Sequence, residues 1–312
     1  MANANVPLPS EASPEAGRAR LAAIGLMGVA VLLFSVLDAS AKWLGQSMNP
    51  LQVVFARYAG SMILVLALIN PWTHPGVLRT KRPGLQWMRS LLLLASTALN
   101  FIALRYLQLA ETISIMFAAP LLVALVSGPL LGEWPGPRRL AAIAVGFLGV
   151  LVVTRPGIGG MHPAALLSVL GCFCFAFYAL STRVLSAHDS SETTMIYSGA
   201  AGTLATIPLL PWIWETPQGL LPWLLMLLVG ILGGFGHWLL ILAHRLAPAT
   251  VLAPFIYSQI IWMVLLGWLV FDQWPDRWTF AGAGIVIASG LYLLYRERVR
   301  HVPEDAASAR LD

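Results

Sequence analysis

Asp38 and Lys42 stand four residues apart in an otherwise apolar run, and Arg57 lies about two turns inside the next one. A charge among apolar residues of this kind costs several kcal/mol unless it is paired or faces a wet cavity, so each is a candidate for function. Asp38 on the N-terminal side of Lys42 has the order that suits an i,i+4 ion pair, with Lys42 reaching towards the surface. Arg57 is either the alternative partner of Asp38 or a clamp for a substrate carboxylate. Asn100 adds four hydrogen-bonding sites late in a third run, for a neighbouring helix or for a ligand. Tyr178 and Ser181 lie three apart, one turn from Cys174, and give a polar and aromatic helix face. His237 sits beside Gly233, Gly234 and Gly236, either as a bond between helices or as a proton carrier. Tyr257, Gln259 and Trp262 follow Pro254, which removes a backbone donor and kinks a helix. Together these groups suit reversible binding of a small polar or aromatic solute.

Other chemistry is not encoded. The chain has no His-Glu-x-x-His, no nucleophile elbow, no phosphate-binding loop and no His/Cys cluster at metal spacing, so neither an enzyme, a cofactor nor a metal is expected. Cys172 and Cys174 lie two apart within an apolar run and read as small core residues.

The elements that must position these residues are apolar runs. Hydrophobic residues make up 58% of 312 and charged ones 11%, with mean hydropathy +0.77. A soluble globular chain carries about 25% charged residues, so most of this one faces something other than water. Runs long enough to cross a bilayer fall at 19–43, 50–70, 85–106, 112–132 and 138–154, then at 163–185, 192–213, 219–243, 249–271 and 277–296. They lack the alternation of barrel strands and are about twice their length. The first run is longer than a cleavable signal core, lies behind an acidic-polar tail, and has an internal twin. The expected fold class is an all-α integral membrane protein, with ten transmembrane helices as two inverted five-helix repeats.

The repeat is written in the sequence. Ala103 and Arg105 recur as Ala243 and Arg245, and Trp134-Pro135 recurs as Trp274-Pro275, all at a spacing of 140. FSVLDASAKWL at 34–44 aligns with FAFYALSTRVL at 175–185. Five spans per half, an odd number, turn the second half upside down relative to the first. The expected organisation is a tail at 1–18, a first half at 19–155, a linker at 156–162, a second half at 163–296 and a tail at 297–312. Of nineteen Lys and Arg, fourteen then fall on the side of the N-terminus, among them Arg79, Arg82 and Arg89. This bias places both termini in the cytoplasm, and it accounts for the net charge of +5 through membrane topology and anionic lipid rather than nucleic acid. Tryptophans at span ends (Trp72, Trp87, Trp134, Trp212, Trp214, Trp223, Trp274, Trp278) fit an interfacial belt. Tyr197 and Trp238 lie deeper, either lining a cavity or packing.

The ordered pairs Ser40-x-Lys42 and Ser181-x-Arg183, the turns at Ala103–Tyr106 and Ala243–Arg245, Pro120, and Leu131-Gly132-Glu133 resemble the drug/metabolite transporter superfamily, EamA-type, over residues 20–296. Asp272-Gln273 departs from the pattern where Gly-Glu is usual. Length and aromatic richness look most like the bacterial amino-acid exporters, including the aromatic amino-acid (YddG-like) branch. The resemblance implies a monomeric secondary transporter of the bacterial inner membrane, surrounded by lipid, moving amino acids or related metabolites outwards by alternating access. The alternatives are a drug/metabolite importer or multidrug exporter and, more remotely, a membrane-embedded enzyme.

Overall fold

A computed structural model describes residues 14–69, 75–132, 134–156 and 162–301. The expectations placed on the distal tails, on Trp72 and on most of the linker lie outside these residues. The first half holds helices α1 (Pro14–Ser47), α2 (Pro50–Leu68), α3 (Pro83–Leu104), α4 (Leu109–Met116), α5 (Ala119–Leu131) and α6 (Pro137–Thr154). The second holds α7 (Ala164–Leu185), α8 (Ser191–Thr206), α9 (Leu210–Ile213), α10 (Leu220–Leu246), α11 (Ala249–Ile256), α12 (Gln259–Phe271) and α13 (Arg277–His301). Among the described residues, ten segments are long and apolar enough to cross a membrane, with α4–α5, α8–α9 and α11–α12 each making one.

The helix ends follow from local chemistry. Pro50, Pro83 and Pro137 begin helices where a missing N–H costs nothing, and the Asn49 side chain accepts the Leu51 N–H at 3.0 Å. At the C-termini, Gly132 ends α5 at φ 75° and Asp272 ends α12 at φ 52°. These left-handed caps are 140 residues apart, so Asp272 stands where the first half has its glycine, at a conformation that Asp tolerates better than most residues.

The packing shows the two-fold relation between the halves. α1 lies along α10 as α7 lies along α3, and α10 packs on α2 as α3 packs on α8. α2 meets α8, and α6 meets α13, across the axis itself. α2 crosses α10 closely, since a Cβ added to Gly60 would stand 2.7 Å from the Gly230 Cα. Gly234, one turn on, packs against Ser61. Gly230 and Gly234, four apart on α10, therefore bring helices together, whereas Gly128 on α5 faces the Trp134 ring.

Spans four and nine, continuous in the sequence reading, are each broken in two. The breaks fall at Phe117-Ala118 and Tyr257-Ser258, again 140 apart, although Pro120 and Pro254 are not. Pro120 has no N–H to offer the Met116 carbonyl four residues back, and the Cys172 thiol approaches that carbonyl at 3.8 Å. The two breaks meet each other: the rings of Phe117 and Tyr257 pack edge to face with centroids 4.9 Å apart.

The expected Asp38–Lys42 pair does not form. Lys42 is 2% exposed and donates to the carbonyls of Leu104 and Leu107 at 2.9 and 2.6 Å, with the Phe271 ring 5.3 Å away. The Leu104 carbonyl, at the end of α3, has no intrahelical donor and carries the negative end of the helix dipole, and Leu107 lies in the turn that follows. The two carbonyls hold the ammonium more firmly than a carboxylate one turn back on the same helix.

Candidate substrate cavity

The seam between the halves holds two adjoining lobes of about 230 and 270 Å³. Arg57, Leu93, His237 and Leu240 line both. The first lobe runs between α2, α3, α7, α8 and α10 to a mouth at Ser186, Asp189 and Ser191. The second lies between α1, α3, α4, α7, α11 and α12, with Asp38, Asn100, Phe34, Phe117, Phe175 and Gln259 on its walls.

Arg57 stands at the junction. Its Nη1 donates to Thr97 Oγ1 at 2.6 Å, its guanidinium stacks over Tyr58 at 5.0 Å, and its Nε is buried with no partner. Thr97 in turn donates to the Leu93 carbonyl and bonds the Tyr58 hydroxyl at 3.1 Å, so α3 holds Arg57 in place from one side. Gly233 lets the side chain pass, since a Cβ there would meet Arg57 Cγ at 3.3 Å. Asp38 receives a long hydrogen bond of 3.5 Å from Asn100 Nδ2, and no ion pair joins it to Arg57. His237 packs edge to face on Phe34 at 5.1 Å and leaves its Nε2 buried without a partner.

Of the nine residues singled out in the sequence, the fold brings Asp38, Arg57, Asn100, Tyr178, His237 and Gln259 to the cavity walls. Ser181 is buried on α7 beside the lining residue Thr182. Tyr257 is 6% exposed and packed between Phe117 and Gly290, and Trp262 packs against the α1–α10–α11 cluster around Met27 and Leu252. Of the two readings for Tyr197 and Trp238, lining the cavity fails and packing holds: Tyr197 bonds the Leu78 carbonyl at 3.3 Å and packs on the Trp87 ring, and Trp238 packs on Phe235 at the outer surface. Four phenylalanines (Phe34, Phe101, Phe117 and Phe175) supply the second lobe's aromatic surface instead, and phenylalanine carries no polar signal to set it apart from core.

Arg89 is the main residue that sequence reasoning misplaced. In sequence it belongs with the basic residues at 79–89, yet it is 4% exposed and lines the first lobe. Nε donates to Thr182 Oγ1 at 2.8 Å, Nη1 to Ser198 Oγ at 2.7 Å and to the Thr194 carbonyl at 3.3 Å, and Nη2 to the Tyr178 hydroxyl at 3.0 Å. The available signal was Pro83, which starts α3 and so puts Arg89 nearly two turns inside it.

Hydrogen bonds tie the loops at both ends of the bundle. At the first-lobe mouth Asp189 accepts from Thr80 Oγ1, the Lys81 N–H and Gln86 Nε2, joining the α2–α3 loop to the α7–α8 loop. Partial burial works to raise its pKa, but these donors outweigh it and hold the carboxyl below its usual range. Close by, Arg245 pairs with Glu192 at 2.6 Å. At the opposite end Gln52 exchanges two bonds with the Glu215 backbone, at 2.9 and 2.8 Å.

Comparison with known proteins agrees with this architecture. The pattern of the EamA-like transporter family matches twice, at residues 21–155 and 162–296. A riboflavin transporter of Vibrio cholerae is 29% identical over 77% of this chain and 81% of its own length. An S-adenosylmethionine uptake transporter of Rickettsia prowazekii is 26% identical over 85% of this chain and 89% of its own. One solved crystal structure superposes with a TM-score of 0.62 at 18% identity, covering 89% of this chain and 98% of the other, and shows the same fold.

Proposed function

The chain belongs to the EamA-like transporter family, a multi-pass membrane transporter of small metabolites, and from that premise we propose that its cargo crosses through the seam cavity by alternating access. The observation that carries this reading is one cavity walled by both halves, with Arg57 of the first and His237 of the second shared by its two lobes. The moving units are the halves at 19–155 and 163–296, rocking about the α2–α8 and α6–α13 contacts on the axis. The ties at Asp189 and at Gln52 close the two mouths in turn. The excess of Lys and Arg on one side supports a bacterial inner-membrane location with both termini cytoplasmic, so that the Asp189 mouth is the inner one.

The cargo is a flat aromatic or heteroaromatic solute taken up from outside. Phe34, Phe117 and Phe175 offer its ring apolar surface while Arg57 and Gln259 offer its polar edge hydrogen bonds. The named relatives support a heteroaromatic solute, and the Rickettsia relative supports uptake. A second reading is favoured by one observation. Asp38 and Arg57 share the cavity, and that pair of charges suits the ammonium and carboxylate of an aromatic amino acid, which this reading moves outwards.

Purified protein in vesicles, given a panel of riboflavin, S-adenosylmethionine and tryptophan in each gradient direction, is expected to move at least one heteroaromatic solute inwards with no other component present. Tryptophan counterflow without flux of the other two would install the second reading. No flux of any member would remove the seam cavity as a path.

A further inference from the structure

We propose that the cavity selects solutes with negative charge on an aromatic body, Arg57 holding the anionic group and Arg89 receiving it on the way to the Asp189 mouth. This deepens the transport reading and rests on it.

Arg57 is 8% exposed and Arg89 4%, and among the described residues neither has an acidic partner at ion-pair distance. Every group that touches them is neutral: Thr97 and Tyr58 at Arg57; Thr182, Ser198, Tyr178 and the Thr194 carbonyl at Arg89. Neutral acceptors fix where a guanidinium points but do not cancel its charge, which stays costly in a dry wall until a counter-ion arrives.

Two carboxylates line the cavity, and neither pairs with an arginine. Asp189 is committed to three donors at the mouth, and Asp38 faces Asn100. The second half adds positive potential. α12 is a thirteen-residue half-helix that begins at Gln259, and Gln259 is on the wall. The positive end of its dipole therefore lies at the cavity wall, while the Ile260 and Ile261 N–H groups are bonded to the Tyr257 and Ser258 carbonyls at 3.3 and 3.0 Å.

The two arginines have different roles. Arg57 uses one nitrogen on a side-chain acceptor and keeps Nε without a partner at the junction of the lobes, so it has donors to give. Arg89 already makes four hydrogen bonds, which suits a weaker, second station. A fork of two donors fits a carboxylate or a phosphate monoester equally well.

The test uses the full-length protein in vesicles and in detergent. Three indole probes share one ring: indole-3-acetate (anion), indole-3-acetamide (neutral) and tryptamine (cation). Flavin mononucleotide against riboflavin gives the phosphate arm. Thermal shift reads binding and vesicle flux reads transport. Wild type is expected to prefer an anion over its neutral counterpart by about tenfold or more in one arm at least, which also tells carboxylate from phosphate. Tryptamine should be inert. Arg57→Gln should erase the preference and Arg57→Lys keep part of it, while Arg89→Gln should bind the anion but move it several-fold more slowly.

Wild type that takes the amide as well as the acid, and riboflavin as well as its phosphate, overturns the proposal, and this needs no variant to fold. Flux of neutral members alone overturns it and leaves the transport reading standing. Anion binding without flux of any member supports the anion site and sinks the transport reading. No binding of any anion overturns the proposal outright.

Discussion

Replacing Lys42 by methionine would remove the donors on which the carbonyls of Leu104 and Leu107 depend, in a site only 2% exposed. Each buried acceptor left without a donor costs about 1–3 kcal/mol. The Lys42→Met protein should therefore unfold at a clearly lower temperature in detergent than wild type, and Lys42→Arg should recover part of the loss. An unchanged midpoint in Lys42→Met would show that water replaces the ammonium. This lysine also shows what spacing can and cannot tell. Four residues on one helix bring Asp38 and Lys42 to the same face, but the stronger acceptors come from the end of α3 and the turn after it, more than sixty residues away in sequence. Arg57 was legible because it stands alone in an apolar run. Arg89 was not, because it sits beside true surface charges and its partners Tyr178, Thr182 and Ser198 belong to the other half.

At the scale of elements, α2 and α10 touch backbone to backbone. A Cβ on Gly230 would come within 2.7 Å of the Gly60 Cα and 3.0 Å of the Ala56 carbonyl, and neither can swing aside. Gly230→Val should cost about 1–3 kcal/mol or more and reduce the folded fraction recovered from membranes, whereas Gly28→Val, with open space around it, should be silent. Equal yields of the two variants would mean that the crossing is looser than drawn. The number and order of spans were readable because length and hydropathy act locally. The helix breaks were readable only as prolines. Their positions at Phe117-Ala118 and Tyr257-Ser258 keep the 140-residue spacing that the prolines lose, because each break is fixed by its encounter with the other.

For the whole molecule, the mouths are the places where acidity should be felt. Asp189 has a folded pKa below the usual carboxylate value, so its three hydrogen bonds stabilise the folded state fully at neutral pH and lose that effect as pH falls through the depressed pKa. The thermal advantage of wild type over Asp189→Asn should thus be constant above about pH 5 and shrink below about pH 4. An advantage that grows on acidification would mean that the carboxyl is bound in its protonated form. The upside-down relation of the halves was fully legible, since an odd number of spans per copy leaves no other arrangement. The cavity's composition was half legible: its polar members stood out against apolar runs, and its phenylalanines did not.

Phe117 and Tyr257 occupy the same position in the two copies, and they touch. Had the halves been separate identical chains, whatever residue stood there would have faced its own duplicate. Fusion into one polypeptide lifts that restriction. One side has become a phenol nested over Gly290 and the other a plain benzene ring, and neither could change this way while both were encoded once. The centre of the protein is thus the place where two copies in one chain have a freedom that a pair of identical chains would lack.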